Sequence, residues 1–320
     1  MTKISVIVTA YNREKYLSDA LNSIKIQTID KDKIEVILVK NFPFIFDLDN
    51  LIAIEDNSEY VGEKIYKGLI NSSGDIICFL DDDDTYDKEK LERVYELFNF
   101  FDPIYYHNNF KTIDKDKNPI EIESDYLKIP PYGKFNLNQT TLIVDEIITK
   151  KIKYYLKNNA NFNSSSICIK REVLENYIDI LRKIKVLIDS FLFYIAMLSP
   201  GKIVLDPLKL TSYRIHSIQT SSGSLQDLET YRNSFIKLLE KVIHDIEVIN
   251  SLYMEKSINI NLNDVILYKL LYGIFSNTKV ETQLRFDKNL ILYYLLYLSP
   301  KFFKDIFINQ QFKKNVKERK

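Results

Sequence analysis

Residues 76–84 read Ile76-Ile77-Cys78-Phe79-Leu80-Asp81-Asp82-Asp83-Asp84. The apolar run has no polar alternation, so it predicts a strand covered on both faces, as in a parallel sheet. It runs straight into consecutive aspartates. Like charges side by side are costly unless something positive offsets them. The C-terminal edge of the strands is also where open α/β sheets bind ligands. Hard carboxylate oxygens suit Mg2+ or Mn2+, which keep positions open for phosphate oxygens. The plainer interpretation is a solvated acidic turn ahead of a helix that opens at Asp87.

Upstream, Ile4–Val8 is a second buried run, and it ends in Thr9-Ala10-Tyr11-Asn12. Asn12 is a natural cap for a helix with Leu17, Ala20, Leu21 and Ile24 on one face. Ile34–Val39 and Leu51–Ile54 read as strands, and Gly62–Ile70 as a helix stopped by Ser72-Ser73-Gly74. Downstream, the helix from Asp87 turns Leu91, Val94, Tyr95 and Phe98 inward, and Ile104–His107 resumes strand character. After an irregular 110–160, a strand is expected at Ser166–Ile169 and a helix at Arg171–Leu181. An apolar helix at Asp189–Leu198 and short strands at Ile203–Leu205 and Leu210–His216 follow. Strands alternating with helices imply an α/β fold with a mostly parallel, doubly wound sheet flanked by helices. After Gly223 the spacing turns helical, at 225–253, 262–275 and around 290–307. The expected organisation is an α/β domain over 1–220, with halves at 1–107 and 108–220, and a helical C-terminal extension over 221–320.

Composition narrows the function. The 320 residues carry 44 Lys+Arg and 44 Asp+Glu, so no global field would hold a polyanion and no nucleic-acid partner is expected. At 46% hydrophobic residues, with only 7 Gly and 8 Pro, the chain can build a core. Cys78 and Cys168 sit in apolar runs and read as small buried hydrophobes in a reducing cytoplasm. The N-terminus lacks the shape of a signal peptide, and no apolar run approaches the ~20 residues of a membrane span.

Three chemistries compete for the acid cluster. An EF-hand loop would use Asp81, Asp83, Thr85 and Glu92, but Tyr86 occupies the position where the sharp turn needs Gly. A haloacid-dehalogenase-type phosphatase would use Asp81 as nucleophile and Asp83 as acid/base within Asp-x-Asp-x-Thr. There the motif usually follows the first core strand, and here at least two strands precede it.

The third reading uses more of the chain. Ser5-Val6-Ile7-Val8-Thr9-Ala10-Tyr11-Asn12-Arg13, Leu17 and Gln27-Thr28 resemble the opening of family 2 glycosyltransferases. So do Gly68, Gly74-Asp75 through Asp84, Leu91, Asp189, Gly201-Lys202 and Tyr213-Arg214-Ile215-His216, in the expected order over about residues 3–220. The resemblance implies a GT-A fold, Rossmann-like, and inverting transfer from a nucleotide-diphosphate sugar to an acceptor hydroxyl, with Mn2+ or Mg2+ as cofactor. It implies that Thr9, Ala10, Tyr11 and Asn12 line the nucleotide pocket, with Tyr11 stacking on the base. Asp81 and Asp83 match the Asp-x-Asp acids that hold the metal, Asp83 making the more direct contact, while Asp81 also faces the nucleotide-sugar and Asp82 touches the ribose. Asp189 matches the catalytic base, and Arg214 and His216 close over the diphosphate and metal. A cap for its own helix is the plainer role for Asp189.

The chain also departs from the family pattern. Val39-Lys40-Asn41 stands where an acidic pair commonly reads a pyrimidine base. Asn41 keeps an acceptor there, but Lys40 reverses the charge, which keeps open a nucleotide-binding domain without turnover. Ile188 replaces a Glu before Asp189, and Lys88 replaces a Pro. Ile65-Tyr66 replaces an Arg-Asn pair, leaving Lys64 as the cation for phosphate. His107 and His244 read as packing and surface residues. The apolar, aromatic Leu290–Leu298 is followed by Phe302, Phe303 and Phe307 and a basic tail from Lys313. It reads as a buried helix or subunit contact, or as a peripheral contact with the inner face of a membrane, where a lipid-linked or glycan acceptor would lie.

Overall fold

The computed structural model describes residues 2–120, 160–216, 225–256, 263–281 and 290–318, and the backbone of 141–144. The chain divides into two compact units, Met1–Arg214 and Ile215–Lys320. The boundary expected near 220 falls within 217–224, outside the described residues.

In the first unit, β1 (Ile4–Ala10), β2 (Ile34–Lys40), β3 (Leu51–Glu55) and β4 (Ile76–Asp81) form a parallel array in the order β3-β2-β1-β4. Helices α1 (Leu17–Lys25), α2 (Val61–Ile70) and α3 (Lys90–Phe101) cover it. Val6 and Val8 share a core with Leu17, Leu21, Leu91 and Val94 of α1 and α3. Ile7 faces the other way, toward α2, where a Cβ added to Gly68 would lie 2.6 Å from its side chain. Cover on both faces is why these strands read as unbroken apolar runs.

Beyond β4 the sheet is mixed. β8 (Ile167–Lys170) pairs antiparallel with β4 and with β6 (Tyr105–Ile113), and β9 (Lys202–Arg214) runs parallel to β6. β5 (Thr85–Tyr86) and β7 (Thr141–Val144) pair antiparallel with β9. The two short strands expected at 203–205 and 210–216 are the single β9. Register shifts around Asn109 of β6 accommodate the stretch containing Pro207, which has no N–H for the ladder. The helix expected at 171–181 is two short ones, α4 (Arg171–Glu175) and α5 (Ile178–Leu181), before α6 (Ile188–Leu198). Cys78 and Cys168 stand directly opposite across β4 and β8 and are joined as a disulfide, not left as the separate thiols expected. Pairing two distant segments of chain was invisible to composition.

The second unit holds α7 (Leu228–Glu255), α8 (Asn263–Ser276), α9 (Ile291–Leu298) and α10 (Lys301–Glu318). Tyr231, Phe235, Leu239, Leu270, Ile274 and Phe275 are at its core. Pro300 separates α9 from α10, because a helix seldom includes the residue before a proline. The buried helix expected at 290–298 is not found: α9 has no buried residue, although Leu290 before it is 3% exposed. Among the described residues no helix is long and apolar enough to cross a membrane.

Candidate active site

The site is assembled at the C-terminal edge of the parallel strands. In the ladder Thr9 lies beside Asp81 on one side and Val39 on the other, and Ala10 lies beside Lys40. Thr9, Ala10 and Tyr11 therefore stand between the ends of β2 and β4. Tyr11 is 37% exposed, and the Lys64 ammonium sits 4.3 Å from its ring centroid. Lys64 is buried and donates to the Ser58 carbonyl. Its head thus orders the Tyr11 ring rather than reaching out toward a phosphate, as the sequence had suggested. Asn12 caps no helix: Tyr16 holds that place, and Asn12 takes a left-handed φ of 53°. Its N–H donates to Asn41 Oδ1 at 2.8 Å, and Asn41 Nδ2 donates to Asn12 Oδ1 at 2.6 Å. The reciprocal pair fixes the loop after β1 to the loop after β2.

The aspartates divide their work. Asp82 and Asp83 are both ion-paired with Arg13, whose guanidinium meets Asp83 Oδ2 at 2.8 Å and Asp82 Oδ1 through Nε at 3.0 Å. Asp82 is thus buried against a cation rather than presented to a ribose. Asp84 is buried and accepts the Arg214 backbone N–H at 3.0 Å, which binds the acid turn to the end of β9. Arg214 has no exposed surface. Its guanidinium donates to the Asp83 carbonyl at 2.7 Å, the Lys115 carbonyl at 3.1 Å and Asp19 Oδ2 at 3.0 Å. It braces the acid turn from behind, which corrects the expectation that it closes over a diphosphate. His216 is buried and belongs to the second unit.

Asp81 and Asp189 are brought together by a segment that carried no expected role. Asn163 has a left-handed φ of 66° and leads into the turn Ser164–Ser166. The Asn163 backbone N–H donates to Asp189 Oδ2 at 3.1 Å, and the Ser164 hydroxyl donates to Asp81 Oδ2 at 2.8 Å. The Ser165 hydroxyl accepts the Asp81 backbone N–H at 3.1 Å. Asp189 lies in the first turn of α6 but does not cap it: Leu187 is the cap residue, and Asp189 Oδ1 takes the adjacent Ser190 N–H at 2.8 Å. Sequence reasoning missed Asn163 and Ser164, and assigned no role to Arg13. The one available signal was the turn-forming composition of Asn163-Ser164-Ser165-Ser166 before a strand.

A further acid was missed at the end of β3. Asp56 donates its backbone N–H to the Lys40 carbonyl at 2.8 Å, which places it beside Asn41. Its Oδ1 accepts the Ser58 N–H at 2.9 Å, while Oδ2 is buried without a hydrogen-bond partner. Lys40 itself is buried and meets the exposed Glu55 at 3.6 Å.

Electrostatics mark the cluster as short of positive charge. Burial, then the charge of Asp83, pushes Asp81 up to about 6 and Asp82 up to about 8, the latter against the pull of Arg13. Burial and Asp83 hold Asp84 well above the usual carboxylate range. Burial works against the Arg13 charge, but Asp83 and Asp82 outweigh it and hold Arg13 firmly protonated. Burial raises Asp189 to about 6 despite its backbone donors, and its charge contributes to the rise at Asp81. Arg13 is shared by Asp82 and Asp83, and the buried Lys90 lies within electrostatic reach of Asp84. Among the described residues no three His, Cys, Asp or Glu side chains gather as a ligand set. A separate cavity of about 470 Å³ near Asp75, Asn99 and Arg171 adjoins the start of β4 and contains none of these acids.

The family model described as glycosyl transferase family 2 matches residues 5–178. An uncharacterized glycosyltransferase of Haemophilus influenzae is 24% identical over 288 residues, 85% of each chain. Another from Nostoc is 28% identical over 130 residues, 37% of this chain and 40% of its own length. This chain thus spans well under half of the second relative. The crystal structure of Staphylococcus aureus TarS 1–349 in complex with UDP-GlcNAc superposes with a TM-score of 0.54, at 17% identity, over 99% of this chain and 92% of that one. At that identity the likeness establishes the fold, an α/β GT-A sheet with flanking helices and a helical C-terminal region.

Proposed function

This chain belongs to glycosyl transferase family 2, and we propose that it moves a sugar, with inversion and with a divalent cation, from a nucleotide-diphosphate sugar to the hydroxyl of a glycan or lipid-linked acceptor. The observation that carries the reading is the Asn163–Ser164 bridge, which holds Asp81 and Asp189 side by side. The UDP-GlcNAc bound by TarS supports a nucleotide-sugar donor.

The roles follow from the chemistry of the groups. Tyr11, ordered by Lys64, offers a ring face to the base, and the unpartnered Asp56 oxygen offers an acceptor to a base N–H. Asp56 thus takes the place of the acids that Lys40-Asn41 lacks. Asp83 and Asp81 would hold Mg2+ or Mn2+, which supplies Lewis-acid neutralisation of the departing diphosphate. Asp189 accepts the proton of the acceptor hydroxyl as the new bond forms. A single base opposite the leaving group gives inversion without a covalent glycosyl-enzyme. The phosphatase alternative needs Asp83 as a mobile acid/base, whereas it is ion-paired to Arg13.

Thermal-shift and turnover measurements with UDP-sugars, with and without Mn2+, test the reading. Donor and Mn2+ together should raise the melting temperature, since a ligand that binds only the folded state stabilises it by mass action. Asp83→Ala should abolish the metal-dependent part of that shift. Equal metal-dependent donor binding by wild type and Asp83→Ala would refute the metal role. Phosphate release from simple phosphoesters would favour the phosphatase, and donor binding without transfer would favour the non-catalytic domain.

A further inference from the structure

The second unit exposes an apolar surface that its own core does not use. On α9, Leu292, Leu295 and Leu298 recur every third residue and are 67%, 64% and 75% exposed. Across Pro300, Phe302 and Phe303 are 67% and 54% exposed, and Ile306 is 41% exposed. At 3.6 residues per turn, Phe302, Phe303, Ile306, Lys313 and Lys317 fall within an arc of about 100° on α10. One exposed face of that helix is therefore apolar in its first turns and basic in its last. Lys301, Lys313 and Lys317 are all exposed. Helix α9 has no charged residue, and Asp305 of α10 is turned to an ion pair with Arg232 at 3.1 Å.

We propose that this face of α9 and α10 binds the surface of an anionic lipid bilayer, with the leucines and phenylalanines entering the interface and Lys313 and Lys317 lying at the headgroups. Soluble proteins rarely leave so many neighbouring large apolar side chains uncovered without a partner. The charge pattern selects which partner. Against a second copy of the same face, the basic ends would oppose like charge or leave the leucines half covered. An anionic bilayer satisfies both ends together, apolar burial and electrostatic attraction each adding to affinity. The inference rests on the second unit and is independent of the reaction assigned to the first.

Flotation of the full chain with vesicles of phosphatidylcholine alone, or containing about a third phosphatidylglycerol, tests it. Binding is expected only to the anionic vesicles and is expected to weaken in 0.5 M salt. Reversing two basic residues, in Lys313→Glu/Lys317→Glu, should lower the vesicle partition coefficient by about tenfold or more. Leu295→Ser/Phe302→Ser should lower it comparably while keeping the wild-type circular dichroism and donor-induced thermal shift. Failure of wild type to float with anionic vesicles overturns the proposal. So does a dimer in light scattering that Leu295→Ser/Phe302→Ser dissociates, which would assign the face to a second copy.

Discussion

Asp189 holds two backbone N–H groups, from Asn163 and Ser190, yet burial still raises it to about 6. A base must be ionised to accept a proton, so turnover should fall about tenfold per pH unit below about 6. At saturating Mn2+, which holds Asp81 ionised, a pH–rate profile with a single acidic limb near that value is the expected result. Asp189→Asn should flatten the limb and reduce kcat by ~10²-fold or more with donor affinity nearly unchanged. A large loss of donor affinity instead would recast Asp189 as a binding residue. Asp56 offers a second test. It follows β3 with its backbone bonded to the Lys40 carbonyl and its Oδ2 buried without a partner, so Asp56→Ala should weaken UDP binding by about tenfold in calorimetric titration. Unchanged UDP affinity would remove Asp56 from the base pocket.

Helix α2 shows how an element tunes the site from outside it. Its first amides have no intrahelical partners, and they donate to the carbonyls of Lys185 and Ile184, just ahead of α6. The Val61 and Gly62 N–H groups thereby tie the helix that carries Lys64 to the segment that delivers Asp189. A Cβ on Gly62 would lie 1.9 Å from the Leu181 carbonyl oxygen, which no rotamer relieves. Gly62→Ala should therefore push the two segments apart and cost about 2–3 kcal/mol. The melting temperature should be lower by about 5 °C or more, and kcat should fall although no catalytic atom is changed. Wild-type stability and turnover in this variant would show the junction to be loose.

The charge balance of the whole chain is zero, but the site is not balanced. Asp81, Asp82 and Asp189 all titrate above the unfolded value of 3.8. The folded state then holds protons that the unfolded state has lost. Stability from these groups is complete below about pH 4 and is lost as pH rises through about 6 to about 8. Glu35 acts in the opposite sense. Burial would raise it, but hydrogen bonds from Lys3, Ser5 and Ser73 lower it to about 2, so its contribution is lost only in strong acid. Without added cation, the melting temperature should fall between pH 5 and pH 8, and Mn2+ should restore more at pH 8 than at pH 5. A cation effect that does not depend on pH would show that these acids are not its ligands.

By itself the sequence determined that Ile4–Val8, Ile34–Val39 and Ile76–Leu80 are strands of a parallel sheet, because strands covered on both faces read as unbroken apolar runs, while their order β3-β2-β1-β4 came only with the structure. It also determined that the acids end β4 and that Asp189 begins an apolar helix, since both features are local. Only the tertiary structure decided how each acid is held. Arg13, Arg214 and the Asn163–Ser164 turn reach the quartet from distant parts of the chain, and which oxygen each one occupies depends on side-chain packing that no local pattern encodes. The same holds for the Cys78–Cys168 pair and for α9. A run of apolar residues looks alike in sequence whether it lies in a core or on a surface, and only its neighbours in space tell the two apart.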